Sequence, residues 1–408
     1  MSRTDASGPA PATTSAEAPA APASPRARTG WTIAGAVVVL GLAALVQLLT
    51  DTVPEATAGT WFGDVAQSIE YPIYAIALGF LGNAVLSLCG VRDRMNAAFR
   101  TELFIKIGLV LLGATINFAI FVKAFGPAVM QAICLIAIFF AFTWWFAGVL
   151  GLDDRLRALL ASALSICGVS AAVAAAGAVR AKKEQLAYTA TLVIVFAVPS
   201  IFLLPWLASL MGLPPAVTGA WIGGNIDTTA AVTAAGAVAG EQPLQIASIV
   251  KVTQNALLGF VAVLLTLYFA LRADRVAAGA GDGAAAGDGA AAGDGAGTAS
   301  ASGHKPRAWA MVWDRFPKFV LGFLLASIVA TVLGVTVDPA VLEPRLDAAK
   351  ELQVWALSLA FVSIGLEFTV SSVREAGWKP ILVFAAATLV NLVAGLGLAV
   401  LLFSSFQF

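Results

Sequence analysis

Charge is what this chain has least of: Asp, Glu, Lys and Arg make up 12% of its 408 residues, against about 25% in ordinary soluble domains. The 24 basic and 24 acidic residues cancel, so there is no basic surplus of the kind that binds nucleic acid or a lipid headgroup surface. Histidine occurs once, as His304 in a low-complexity linker, which leaves histidine-based catalysis, proton relay and metal ligation poorly supported. The three cysteines, Cys89, Cys134 and Cys167, share no CxxC-type spacing, which argues against a disulfide framework or a zinc site. GxxxxGK[ST], HExxH and GxSxG are all missing, so nucleotide hydrolysis, zinc proteolysis and serine hydrolysis lack their motifs. The expectation is a protein that is not an enzyme, with no metal site and no cofactor beyond a coupling Na+ or H+.

What is abundant is apolar surface: 59% of the residues are hydrophobic and the mean hydropathy is +0.88. Hydrophobic segments fall at about 31–50, 72–89, 103–122, 126–150, 158–179, 187–210, 218–239, 244–271, 316–337, 351–371 and 380–403. Runs of about 17–25 apolar residues cross a bilayer core as helices. The fold class is therefore all-α and polytopic, with about 9–11 transmembrane segments and the lipid bilayer as partner. Residues 1–28, rich in Ala, Pro, Ser and Thr, read as a disordered tail. Residues 31–271 form a first membrane part of eight segments, 272–308 a flexible Gly/Ala/Asp linker, and 309–408 a second part of three segments.

Arg and Lys in short loops mark the cytoplasmic side. "RDRMNAAFR", "DDRLR", "RADR" and "SSVREAGWK" carry them, while the 51–71 loop and 338–351 are acidic. All of these agree with a cytoplasmic N-terminus in a bacterial inner membrane. Only "RAKKEQ", 180–185, objects, and the objection disappears if 158–179 is a hairpin that enters and leaves from the cytoplasmic side. Parity then makes 218–239 a hairpin from the opposite side. These segments, "ICGVSAAVAAAGAV" and "IGGNIDTTAAVTAAGAVAG", share early glycine, small residues and AAGAV. A weaker echo pairs "ELFIKIGLVLLGATINF" with "ELQVWALSLAFVSIGLEF". Inverted repeats with two discontinuous or re-entrant Gly-rich segments are a secondary-transporter arrangement, and the interrupted segments point to the binding site.

Lys106, Asp227, Lys251 and Glu367 lie inside apolar runs, where each charge costs roughly 2.5–3.5 kcal/mol at a helix centre. Snorkelling and structural ion pairing compete with function for each. Ser248, Lys251, Gln254 and Asn255 share one polar stripe at helical spacing, either interhelical glue or the lining of a pathway. Gly113 and Asn117 are either a cavity wall or a packing glycine and a satisfied amide. The sharper signal is "SICGVSAA" and "GGNIDTTAA". Half-helices starting after Ser170 and after Asp227, Thr228 and Thr229 aim unpaired N–H groups into a cavity, as an anion site requires. The bland reading of these residues is helix capping.

Taken as a set, "ICGVSAAVAAAGAV", "GAWIGGNIDTTAAVTAAGAVAGE", "IASIVKVTQNALLG", "PKFVLGFLLAS" and "LSLAFVSIGLEF" resemble the YeiH-type family of bacterial membrane proteins, to which sulfate export is ascribed. The resemblance runs from about residue 72 to 403, linker excluded. It implies kinship with the cation/proton antiporters and bile-acid-type symporters, with helices broken near the membrane midplane. The implied function is secondary active transport of sulfate or a related small sulfur-containing anion, driven by H+ or Na+. A Na+/H+ exchanger and a passive anion channel are the alternatives. The candidate substrate-binding residues are Gly168, Ser170, Gly224, Asn225, Thr228, Thr229, Lys251 and Asn255, with Asp227, Glu367 and Asn117 for ion coupling. Many family members carry His in place of Asp227 and Arg in place of Gln254. The partners expected are a small anion and no nucleic acid, and a homo-oligomer is compatible with the sequence.

Overall fold

The computed structural model describes residues 25–60, 69–268, 313, 316–368 and 377–408. Residues 1–24 of the stretch read as a tail, and the linker at 272–308, lie outside them. Among the described residues every regular element is helical: α1 Pro25–Ala56, α2 Tyr71–Leu88, α3 Thr101–Thr115, α4 Phe118–Val149, α5 Asp154–Ser165, α6 Val169–Val179, α7 Lys183–Leu210, α8 Pro215–Asn225, α9 Thr229–Ala239, α10 Glu241–Ala256, α11 Phe319–Thr336, α12 Pro339–Glu367 and α13 Trp378–Phe403. A single turn, Arg92–Met95, and a short 3-10 turn, Asn96–Ala98, precede α3. Beyond a turn at Leu257 the α10 helix continues to Tyr268, and eight of the described helices are long and apolar enough to cross a membrane. Large apolar side chains such as Leu88, Trp145, Val393 and Leu401 point outward, as an all-α protein surrounded by hydrocarbon requires.

Two bundles meet along α9. In one, α12 packs against α1, α2 and α3, and α11 lies on α3; in the other, α4 to α10 pack together with α13. Backbones approach closely where glycines allow it: a Cβ on Gly79 would lie 2.4 Å from Val362 O, and one on Gly113 would lie 2.4 Å from Phe323 O.

The sequence-based boundaries shift in three places. The first helix begins at Pro25, inside the stretch read as a tail to residue 28, and runs to Ala56, past the expected end at 50. The turn before α4 falls at residues 116–117 instead of about 123–125, because Asn117 Oδ1 accepts from Ala119 N at 2.8 Å and starts the helix there. Pro127 is accommodated inside α4. The acidic stretch 338–351 is not a loop but the first turns of α12, begun by Asp338 Oδ1 accepting from Ala340 N at 2.9 Å with Pro339 at the first helical position, where its missing N–H costs nothing.

The two Gly-rich segments are hairpins. Arg155 Nη1 at the start of α5 donates to Arg180 O just past the end of α6, and Ala158 and Leu159 pack with Ala175 and Val179, so α5 and α6 run antiparallel. In the second hairpin, Gly219 and Gly223 of α8 contact Pro243 and Ala247 of α10, while Gly236 of α9 contacts Leu244 and Ala247. Thus α8 runs parallel to α10, α9 antiparallel to it, and the bend at 226–228 lies deeper along α10. Because α7 separates the hairpins, they enter from opposite faces, the relation that an inverted repeat produces.

In a background with Cys89, Cys134 and Cys167 replaced, Lys183→Cys and Gln242→Cys are expected to react with an impermeant maleimide from opposite sides of the membrane. Two full spans in place of the hairpins put both on the same side.

Candidate functional site

Each hairpin bends where its sequence permits no helix. Ile166 (φ −129°, ψ −88°) leaves the α5 helix and Gly168 (φ +64°, ψ −116°) starts α6. That Gly168 conformation is open to glycine and strained for any side chain. A Cβ there would also meet Val193 Cγ1 at 2.6 Å, Thr228 Cγ2 at 3.2 Å and Asp227 Cβ at 3.5 Å, so the two tips touch. In the second hairpin Ile226 is extended, and Thr228 caps α9 by accepting from Ala231 N at 3.2 Å.

Bends at membrane depth free backbone carbonyls that lipid cannot satisfy. Lys251, 1% exposed, closes both. Its Nζ donates to Ile166 O at 2.6 Å and to Ile226 O at 2.9 Å, one carbonyl from each hairpin, and to Gln254 Oε1 at 2.9 Å. Gln254 Nε2 in turn donates to Ser165 O at 2.9 Å. An ammonium group has three donors, and here all three are used, so Lys251 holds the tips together and has none left for a ligand. Asp227 is also buried, beside Gly168, and among the described residues no hydrogen bond or ion pair reaches its carboxylate.

A cavity of about 440 Å³ lies over the tips, between the two bundles. Its inner wall holds Cys167, Val169 and Ser170 of the first hairpin, Thr228 to Ala231 of the second, and Asn255. Its outer wall holds Thr101, Glu102 and Lys106 of α3 and Glu367 of α12, with Lys106 Nζ 3.0 Å from Glu102 Oε2. The backbone amides of Val169 and Ser170, and those of Thr229 and Ala230, precede the first intrahelical bonds, Ala172 N to Gly168 O and Val232 N to Thr228 O. Two half-helix N-termini therefore present free N–H groups and their partial positive charge to one space. Glu367 is positioned from behind: buried Arg92 donates to Leu366 O at 3.0 Å and Glu367 O at 2.9 Å, and Asn83 Nδ2 donates to Gly365 O and Phe368 O.

Of the residues singled out in the sequence, Ser170, Thr228, Thr229, Asn255 and Glu367 line this cavity, and Gly168, Asp227 and Lys251 lie at the meeting tips. Asn255 Nδ2 donates to Thr229 Oγ1 at 2.9 Å. Gly224 and Asn225 sit at the end of α8, toward α4 and α13, where a Cβ on Gly224 would meet Gln131 Nε2. Asn117 caps α4, away from the cavity. Sequence reasoning missed Thr101, Glu102, Arg92, Gln131 and Asn391. The last two were detectable as lone amides inside apolar runs, whereas Thr101, Glu102 and Arg92 sit among ordinary loop and helix-end residues.

Fold and site together define a polytopic membrane protein with two opposed re-entrant hairpins meeting over a polar cavity. The family described as "Conserved hypothetical protein 698" matches residues 37–384, and the chain belongs to it, in agreement with the YeiH-type resemblance. The chain is 34% identical over 345 residues to a UPF0324 membrane protein of Rhodopirellula baltica, covering 83% of this chain and 58% of that one. It is 32% identical to one of Nitratidesulfovibrio vulgaris, covering 83% and 85%, and 25% identical to one of Agrobacterium fabrum, covering 90% and 92%. The chain thus spans between half and two thirds of the length of the first of these relatives. No solved structure matches.

Lys251→Met is expected to lower the stability of the detergent-solubilised protein by about 1–3 kcal/mol for each of the two carbonyls it orphans. An unchanged melting temperature contradicts the pinning role.

Proposed function

We propose that this protein is a secondary active transporter of a small anion, sulfate or a related sulfur-containing oxyanion, coupled to H+ or Na+. The observation that carries the reading is the convergence of four free amides, Val169, Ser170, Thr229 and Ala230, from two opposed half-helices on one cavity. Backbone N–H groups at helix N-termini bind oxyanions without needing a side-chain cation. The sulfur-oxyanion class comes from the YeiH-type resemblance.

Coupling follows from the acids around the same space. Asp227 touches the hairpin contact, and Glu102 and Glu367 stand in the opposite wall. A negative carboxylate repels an incoming anion, so a proton or Na+ arriving at Asp227 removes the repulsion and ties the two binding events together. The walls belong to different bundles, and a movement of one bundle against the other exposes the tips to each side in turn, as inverted-repeat transporters do. The cavity reaches Thr101, Pro317 and Glu367, all at helix ends on the face that also carries Arg92, Arg155 and Lys379. On this reading the positive-inside rule puts that face on the cytoplasmic side of a bacterial inner membrane, which makes the cavity inward-facing. The same carboxylates favour a second reading, a Na+/H+ exchanger in which Asp227 and Glu367 carry the transported cation.

Uptake of labelled sulfate or sulfite into proteoliposomes, with and without an imposed H+ or Na+ gradient, tests the assignment. Saturable, gradient-stimulated uptake is expected. Absence of flux for every oxyanion, together with Na+-driven collapse of a pH gradient, assigns the exchanger instead. Asp227→Asn is expected to reduce gradient-driven uptake to the level of empty liposomes while the protein remains folded and inserted. Wild-type rates in that variant remove Asp227 from coupling.

A further inference from the structure

Behind the second hairpin tip, on the side away from the cavity, three carboxamides come together in the protein interior. Gln131 of α4, Asn225 at the end of α8 and Asn391 of α13 are 0%, 7% and 2% exposed. Part of their bonding is structural: Gln131 Nε2 donates to Ala220 O at 2.8 Å and Asn391 Nδ2 to Asn225 O at 3.0 Å. The rest is unused. Gln131 Oε1, Asn391 Oδ1 and both polar atoms of the Asn225 side chain are buried, and among the described residues they have no hydrogen-bond partner. An unmet buried polar group costs about 1–3 kcal/mol, so a cluster of four calls for a ligand.

The local geometry brings two of these side chains together. A methyl group built on Gly395 would sit in ordinary contact with Asn391 Oδ1 at 3.4 Å, Trp221 Cδ1 at 3.5 Å and Asn225 Cγ at 3.9 Å. The unused Asn391 Oδ1 and the Asn225 side chain therefore converge on one point beside the Gly395 backbone, where no side chain stands between them. Gln131 abuts Gly224, the residue before Asn225. The electrostatic sign is set by α8, whose C-terminal end lies here and whose last carbonyls give it partial negative charge. Carboxamide and carbonyl oxygens without a carboxylate suit a hard cation of low charge.

We propose that Asn225 and Asn391, meeting beside Gly395, form a binding site for a small monovalent cation, Na+ by ligand type. Among the described residues the Asn225 side chain has no hydrogen-bond partner, so it is free to turn its oxygen toward the ion. The ion bridges α8 to α13 directly behind the bend that ends in Asp227. Its use as the coupling ion rests on the transporter reading above; its binding does not.

The test is the melting temperature of the purified protein in Na+ and in choline at equal ionic strength, without any anion substrate. Na+ is expected to raise it, since a ligand that binds only the folded state stabilises that state. Two variants leave the packing intact. Asn225→Leu removes no hydrogen bond of the side chain and is expected to melt no lower than wild type in choline. Gly395→Ala adds a methyl at ordinary contact distance. Both are expected to lose the Na+-dependent shift. Equal melting of the wild type in Na+ and choline, as a water-filled space gives, overturns the proposal, and so does a full shift retained in either variant. Because the readout involves no flux, its failure leaves proton-coupled anion transport standing, and failure of transport leaves the ion site standing.

Discussion

Two hairpin bends at membrane depth expose carbonyls that hydrocarbon cannot solvate, and a single side chain answers both. Lys251 donates to Ile166 O and to Ile226 O, so the tips cannot separate without stranding a buried ammonium group or a buried carbonyl. Charge-assisted hydrogen bonds of this kind are about twice as strong as neutral ones, and Gln254 extends the link to Ser165. The cavity, the placement of Asp227 and the convergence of the half-helix N-termini all depend on this junction. A charge that is costly to bury is retained because irregular backbone there needs it more.

The junction also divides labour between polar groups. Lys251 and Gln254 consume their donors on structure, leaving the cavity side to backbone amides, hydroxyls and the Lys106–Glu102 pair. The amides arise from helix geometry alone, at residues 168–170 and 228–230, and it is these that the proposed reading assigns to the anion. On the other side of the tip, α8 presents its opposite pole to the amides of Asn225, Asn391 and Gln131. One hairpin thus carries a positive and a negative pole on its two sides.

Much of this was readable before any coordinates. Gly-led, Ala-rich segments and one misplaced basic loop, 180–185, single out the two broken segments and make opposed hairpins one of two arrangements, discontinuous full spans being the other, because loop charge and helix parity constrain topology. Asp227 and Lys251 stood out because charge inside an apolar run is conspicuous. The role of Lys251 was not legible: a polar stripe reports that a face avoids lipid, not which acceptors it finds, and the acceptors proved to be carbonyls 85 and 25 residues away. Asn117 was misplaced for the same reason, since an amide that caps a helix and one that lines a cavity look alike in sequence. The start of α12 was hidden by charge: 338–351 reads as a loop by composition, but its N-cap lies at Asp338, where no hydropathy window looks.

The most direct test of the central claim is a density map of the protein in lipid nanodiscs with a heavy oxyanion, selenate or tungstate, at saturating concentration. The account predicts one anion within hydrogen-bonding distance of the Ser170 and Ala230 amides, with the contacts from Lys251 to Ile166 and Ile226 intact. Density bound instead to the Lys251 ammonium group, or an empty space between the half-helix ends, contradicts it.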